Sequence, residues 1–238
     1  MVLNYNKPVQ TSSTLGGYQP NDAVDEDIKT YWSAKTGNKG EWFQTDLGEV
    51  STINAIQVNY ADQDAEFLGK SAGVYHQYKT YSSDVGKKWT LLVDKCSNKT
   101  DVPHDYIELK KPATARYLKM ENIKMPTGKF ALSGFRVFGK GTGEKPKPVE
   151  DFIVLRTSPE KFGERRSSWL RWKQNDLADG YVIYFGKSSD ELYGSIMVVY
   201  GKNEYYFSGM DRTDAYYFQI EAFNNNGVSE RTPIVKSE

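Results

Sequence analysis

Tyr216-Tyr-Phe-Gln-Ile-Glu-Ala-Phe-Asn224 alternates, with Tyr216, Phe218, Ile220 and Ala222 on one side and Gln219 and Glu221 on the other. A period of two describes a half-buried strand and rules out an amphipathic helix over the same residues. The same rule runs through the chain. Ile53 to Tyr60, Tyr78-Lys-Thr-Tyr81, Trp89-Thr-Leu-Leu-Val93, Tyr106-Ile-Glu-Leu109, Arg116-Tyr-Leu-Lys-Met120 and Gly134-Phe-Arg-Val-Phe138 are short apolar runs punctuated by Gly, Pro, Asn and Asp. None carries an apolar stripe of period 3.6. Trp169-Leu-Arg-Trp172 and Gly180-Tyr-Val-Ile-Tyr-Phe-Gly186 continue the pattern. The fold class expected is all-β, with antiparallel sandwiches or jelly rolls.

Gly139-Lys-Gly-Thr-Gly-Glu-Lys-Pro-Lys-Pro148 breaks this texture, with three glycines, two prolines and no apolar side chain but proline. It has nothing to bury and reads as a linker over 141–148, dividing the chain into domains at 1–140 and 149–238. A length of 238 residues suffices for two cores.

The 31 basic and 31 acidic residues cancel, so no electrostatic argument supports a nucleic-acid partner or an anionic membrane. Cys96 stands alone and cannot form an internal disulfide. No apolar run is long enough for a membrane helix, and the N-terminus carries no secretory signal, so the chain is expected to be a piece of a longer protein.

Two early segments carry a family likeness. Asp25-Glu-Asp-Ile-Lys-Thr-Tyr-Trp32 and Glu41-Trp-Phe-Gln-Thr-Asp-Leu-Gly48 resemble the opening of the discoidin family, the coagulation factor five/eight type C domains, which includes carbohydrate-binding modules of family thirty-two. The second half resembles a fibronectin type III domain. Met210 stands six residues before Tyr216, the spacing of a tyrosine corner. Lys7-Pro-Val-Gln-Thr-Ser-Ser13, Gly40 to Gly48, His104-Asp-Tyr-Ile-Glu-Leu109 and Gly134-Phe-Arg-Val-Phe-Gly139 together are similar to the C-terminal accessory region of Bacteroidetes glycoside hydrolases of family forty-three, which act on xylan or arabinan. The resemblance implies a discoidin-like jelly roll followed by a fibronectin type III sandwich. It implies a non-catalytic, periplasmic or cell-surface region that binds a plant or host glycan or packs on an upstream catalytic domain. A protein-interaction or adhesion module is the alternative of another class. Membrane binding, a third role of the family, finds few apolar spikes in these polar loops.

The resemblance also implies a structural calcium ion in the acidic loop, held by Asp22, Asp25, Asp27 and Thr30 with backbone carbonyls. Calcium takes six to eight oxygens. The family commonly has glycine where this chain has Glu26, and a late glutamate where it has Gly134. A solvated acidic turn capped by Thr30 is the plainer reading.

Trp32, Trp42 and Trp89 are expected to serve the core rather than a sugar platform. The long loop from Asp62 to Gln77 far exceeds the usual ~4–6 residues of a strand connection, so it is the place to seek a ligand. It offers Phe67, Tyr75, His76 and Gln77, a mixture of planar rings and polar forks that suits a sugar. Asn98 and His104 are candidates in the companion loop Asn98 to Asp105, and Met125 to Phe130 is a third loop. Alternatively, Phe67 and Tyr75 only pin the loop down. His76 and His104 are the only imidazoles and do not make a zinc site. No nucleophile elbow, phosphate loop or zinc-protease run appears, so no catalytic residue is assigned.

Overall fold

The computed structural model describes residues 1–66, 73–157, 165–199 and 201–237. Two compact units divide the chain, Met1–Thr142 and Gly143–Glu238. Both are built from antiparallel strands.

In the first unit β1 is Val9–Thr11, β2 Trp32–Ser33, β3 Trp42–Tyr60, β4 Gln77–Ser83, β5 Thr90–Asp94, β6 His104–Lys124 and β7 Ala131–Gly141. The segments ending at Gly48 and starting at Ile53, expected to be separate, are one 19-residue strand, β3. The runs at Tyr106 and Arg116 likewise join into the 21-residue β6. Gly48 and Pro112 look like strand breakers, yet here they accompany bends. The β3–β6 register jumps between Asp46 and Ser51 and again between Ile53 and Ala55. Such irregularities turn a strand without ending it.

The turned strands feed two layers. Trp42 to Asp46 of β3 pairs with β1 and with the end of β6, which continues into β4 and β5. Ser51 to Tyr60 pairs with the start of β6 and with β7, which β2 flanks. Between the layers lies a buried core that includes Trp32, Phe43, Ile56, Val58, Leu118, Met120, Phe130, Phe135 and Val137. Phe43 meets Phe135 edge-on with centroids 5.8 Å apart, and Trp32 meets Phe130 at 5.4 Å.

Of the three tryptophans expected in the core, only Trp32 is there, fully buried. Its Nε1 donates to Thr14 Oγ1 at 3.0 Å. Trp42 and Trp89 are half-buried. In β3 the inward phase belongs to Phe43, Thr45 and Leu47, so the pleat turns Trp42 to the other face. Lys119 Nζ lies 4.5 Å from the Trp89 ring centroid.

In the second unit β8 is Ile153–Arg156, β9 Ser167–Arg171, β10 Gly180–Gly186, β11 Gly194–Val199, β12 Glu204–Ser208, β13 Tyr217–Asn224, β14 Gly227–Val228 and β15 Val235–Lys236. One sheet runs β11-β10-β13-β14, with β15 on β13; the other runs β12-β9-β8. Leu170, Trp172, Tyr181, Ile183, Phe207, Phe218, Ile220 and Ala222 fill the space between them. Tyr216 is buried, and its phenol oxygen accepts the Asp211 N–H at 3.1 Å, tying the loop before it to the strand. Trp169 and Tyr206 pair across β9 and β12 on the outer face, both exposed.

The residues read as a linker over 141–148 do not run free. Gly141 is the last rung of β7, opposite Ser51. Beyond it, Asn224 Nδ2 donates to the Glu144 carbonyl and Asn175 Nδ2 to the Lys147 carbonyl, each at 2.9 Å. A backbone without apolar side chains still offers carbonyls, and side-chain amides of the second unit take them.

Candidate functional site

Three loops of the first unit surround a cavity of about 240 Å³. Ala61 to Glu66 with Val74 and His76, then Asp101 and Pro103, then Met125 to Thr127 and Lys129 form its wall. The loops are bolted together by the backbone. Lys129 N–H donates to the Gln63 carbonyl at 2.9 Å, and Glu66 N–H to Thr127 Oγ1 at 3.1 Å. Gly128, at φ +70°, permits this approach, because a Cβ there would collide with the Gln63 carbonyl oxygen. Lys129 Nζ and Asp64 add an ion pair. On the far side of the loop, Gln63 Oε1 accepts from the hydroxyls of Tyr18 and Tyr31, whose rings lie 4.9 Å apart.

His76 is buried and stacks on Tyr60, with ring centroids 3.8 Å apart. Burial pushes the imidazole down to about 4, against the pull of Asp101 and Asp62, so it is neutral at pH 7. Its Nδ1 and the Tyr60 hydroxyl are buried and meet no partner among the described residues. The cavity therefore has an uncharged aromatic residue in its wall, apolar sides at Val74, Pro103, Met125 and Pro126, and polar groups at Asp62, Gln63, Glu66, Asp101, Thr127 and Lys129.

The candidates named from sequence fall into three groups. His76 lines the cavity; Phe67 lies outside the described residues. Gln77 and Asn98 brace the site from behind: Gln77 Nε2 donates to the Asn98 carbonyl and Asn98 Nδ2 to the His76 carbonyl, each at 2.9 Å. Tyr75 lies under Lys124 Nζ, 3.5 Å from its ring centroid, and is not in the cavity wall. His104 opens β6 opposite Asn59, exposed and away from the wall. Sequence reasoning passed over Asp62, Gln63, Glu66, Asp101, Met125 and Lys129. All lie in the three loops it singled out, but nothing in their spacing shows which side chains turn inward.

The acidic loop is arranged differently. Asp25 Oδ1 accepts the Asp27 N–H at 2.9 Å, and Asp25 Oδ2 accepts the Thr30 hydroxyl at 2.7 Å. Asp27 Oδ1 accepts the Lys29 N–H at 2.9 Å, and Asp22 Oδ2 the Gln19 N–H at 3.3 Å. Glu26, at φ +60°, turns away to Arg136. Among the described residues no three His, Cys, Asp or Glu side chains gather to hold a metal ion. Asp22, Asp25, Asp27 and Thr30 face backbone donors and each other instead of one centre. Side-chain oxygens alone do not gather into a calcium site here; a cation would need the backbone carbonyls of the loop as well.

No curated protein matches the chain. Among solved structures, the second chitosan-binding module of a chitosanase/glucanase from Paenibacillus sp. IK-5, in complex with chitotriose, is similar over 58% of this chain and 99% of its own, at 24% identity and a TM-score of 0.48. The family 32 carbohydrate-binding module of C. perfringens NanJ, in complex with galactose, is similar over 56% of this chain and 93% of its own, at 17% identity and a TM-score of 0.45. Residues 8–134, more than half the chain, match the F5/8 type C domain. With the bent-strand sandwich and loop-borne cavity described above, that match identifies the chain as a member of the F5/8 type C domain family.

Proposed function

We propose that the first unit is a non-catalytic carbohydrate-binding module, and that its ligand, a plant or host glycan, enters the cavity between the three loops. The observation that carries this reading is the composition of the cavity wall. A sugar ring presents an apolar C–H face and a rim of hydroxyls that both donate and accept. Val74, Met125 and Pro126 suit the face; Asp62, Glu66 and Asp101 can accept from hydroxyls and Lys129 can donate. A neutral His76 adds no charge to the wall. Family membership supports the reading, because discoidin-like domains include carbohydrate-binding modules.

The second unit is read as a fibronectin type III-like spacer. Its two sheets and the Tyr216 tie support this. The parent protein is read as a secreted glycoside hydrolase resembling family forty-three, periplasmic or on the cell surface, with its catalytic domain upstream. That part rests on the sequence resemblance alone. A glycan array probed with the full chain tests the central reading. Retention of xylo-, arabino-, galacto- or gluco-oligosaccharides supports it. An array blank for every glycan, alongside tight association with a glycoside hydrolase catalytic domain, would replace it with a docking role.

A further inference from the structure

We propose that the acidic loop is locked by the Arg136 guanidinium and folds without a metal ion. Asp25, Glu26 and Asp27 place three carboxylates in succession, and a nearby cation eases their repulsion. Arg136, on β7, supplies one. Its Nε lies 2.8 Å from both Glu26 carboxylate oxygens, across 110 residues of sequence. With the Asn59 amide turned so that its oxygen faces Nη1, the guanidinium gains a second acceptor from β3. The Arg136 side chain is 15% exposed and the Glu26 side chain 36%, so solvent screens the pair in part.

Two local features make room for this contact. Glu26 adopts φ +60°, and its carboxylate meets Arg136. Gly134 sits two residues before Arg136 on the same face of β7, and a Cβ there would stand 2.8 Å from Nη1. Glu26 and Gly134 thus both lie against Arg136. A divalent ion placed among the same carboxylates would face a fixed positive charge. Both oxygens of Asp25 and Oδ1 of Asp27 already accept backbone or hydroxyl protons.

Scanning calorimetry of the full chain, in chelator and in millimolar calcium, tests this. The expected result is the same first-unit midpoint in both. Arg136→Gln identifies that transition by lowering it roughly 1–4 °C. Glu26→Gln lowers it similarly, and the double variant loses little more than either single one, as one shared contact requires. A wild-type midpoint that rises with calcium or falls with chelator would overturn the proposal. So would losses from the two single variants that add in full. If Arg136→Gln does not fold, Glu26→Gln identifies the transition and the calcium comparison still decides.

Discussion

The acidic loop and the cavity are both polar loop regions of one sandwich, and they are built on opposite principles. In the acidic loop each carboxylate has found a partner: Asp25 holds Thr30 and the Asp27 N–H, Asp27 holds Lys29, and Glu26 holds Arg136. At the cavity, the His76 Nδ1 and the Tyr60 hydroxyl are buried without partners among the described residues. Leaving such a group unsatisfied costs about 1–3 kcal/mol. A loop that closes on its own hydrogen bonds accounts for itself. A cavity that keeps unpaired polar atoms in and under its wall has groups that folding alone does not explain. That contrast supports the proposal that the first region is structural and the second receives the ligand.

The largest effect is expected where both regions share support. Trp32 follows the acidic loop and packs on Phe130, which follows Lys129 of the cavity wall. Trp32→Ala should cost roughly 3–5 kcal/mol and loosen both regions together. Trp42→Ala, on the half-buried face, should cost clearly less in the same denaturant titration. Equal losses would mean that the pleat of β3 has been misassigned.

Acid should separate the two regions. The native His76 imidazole titrates at about 4, against about 6.5 unfolded, so between those values the unfolded chain binds the extra proton. Stability contributed by keeping His76 neutral is full above pH 6.5 and falls as pH drops toward 4. From pH 7 to pH 5 the loss should be about 2 kcal/mol. His76→Phe keeps an aromatic ring on Tyr60 and should flatten that slope. A slope unchanged by this substitution would remove His76 as its cause.

Smaller effects test the independence of the regions. Thr30→Val breaks one hydrogen bond to the Asp25 carboxylate and should cost about 1.5 kcal/mol without weakening any glycan bound at the cavity. Tyr216→Phe should cost about 1 kcal/mol, seen only in the second unit's transition.

The strands were legible because alternation survives burial, and the runs at Tyr78, Gly180 and Tyr216 reappear in β4, β10 and β13. What could not be read was continuity. Gly48 and Pro112 mark ends in a local reading, and only pairing with distant strands turns them into bends. The three loops of the cavity were legible from length and composition. Their inward residues were not, since the approach of Gln63 to Gly128 and Lys129 is set by partners more than sixty residues apart. The Arg136 contact was equally hidden: Glu26 and Gly134 stand far apart in the sequence, and the residue that meets both lies on a different strand from the loop. Exposed Trp169 and Tyr206 show the same limit in the second unit, where aromatic content alone does not tell the inner face from the outer.

The most direct test is isothermal titration of the full chain with whichever oligosaccharide the array retains, run beside an Asp62→Asn/Asp101→Asn variant. The account predicts a dissociation constant on the order of micromolar to millimolar for the wild type. It predicts that the variant loses binding while its unfolding midpoint stays in place. Undiminished binding by the variant would put the glycan elsewhere on the molecule and contradict the assignment of the cavity.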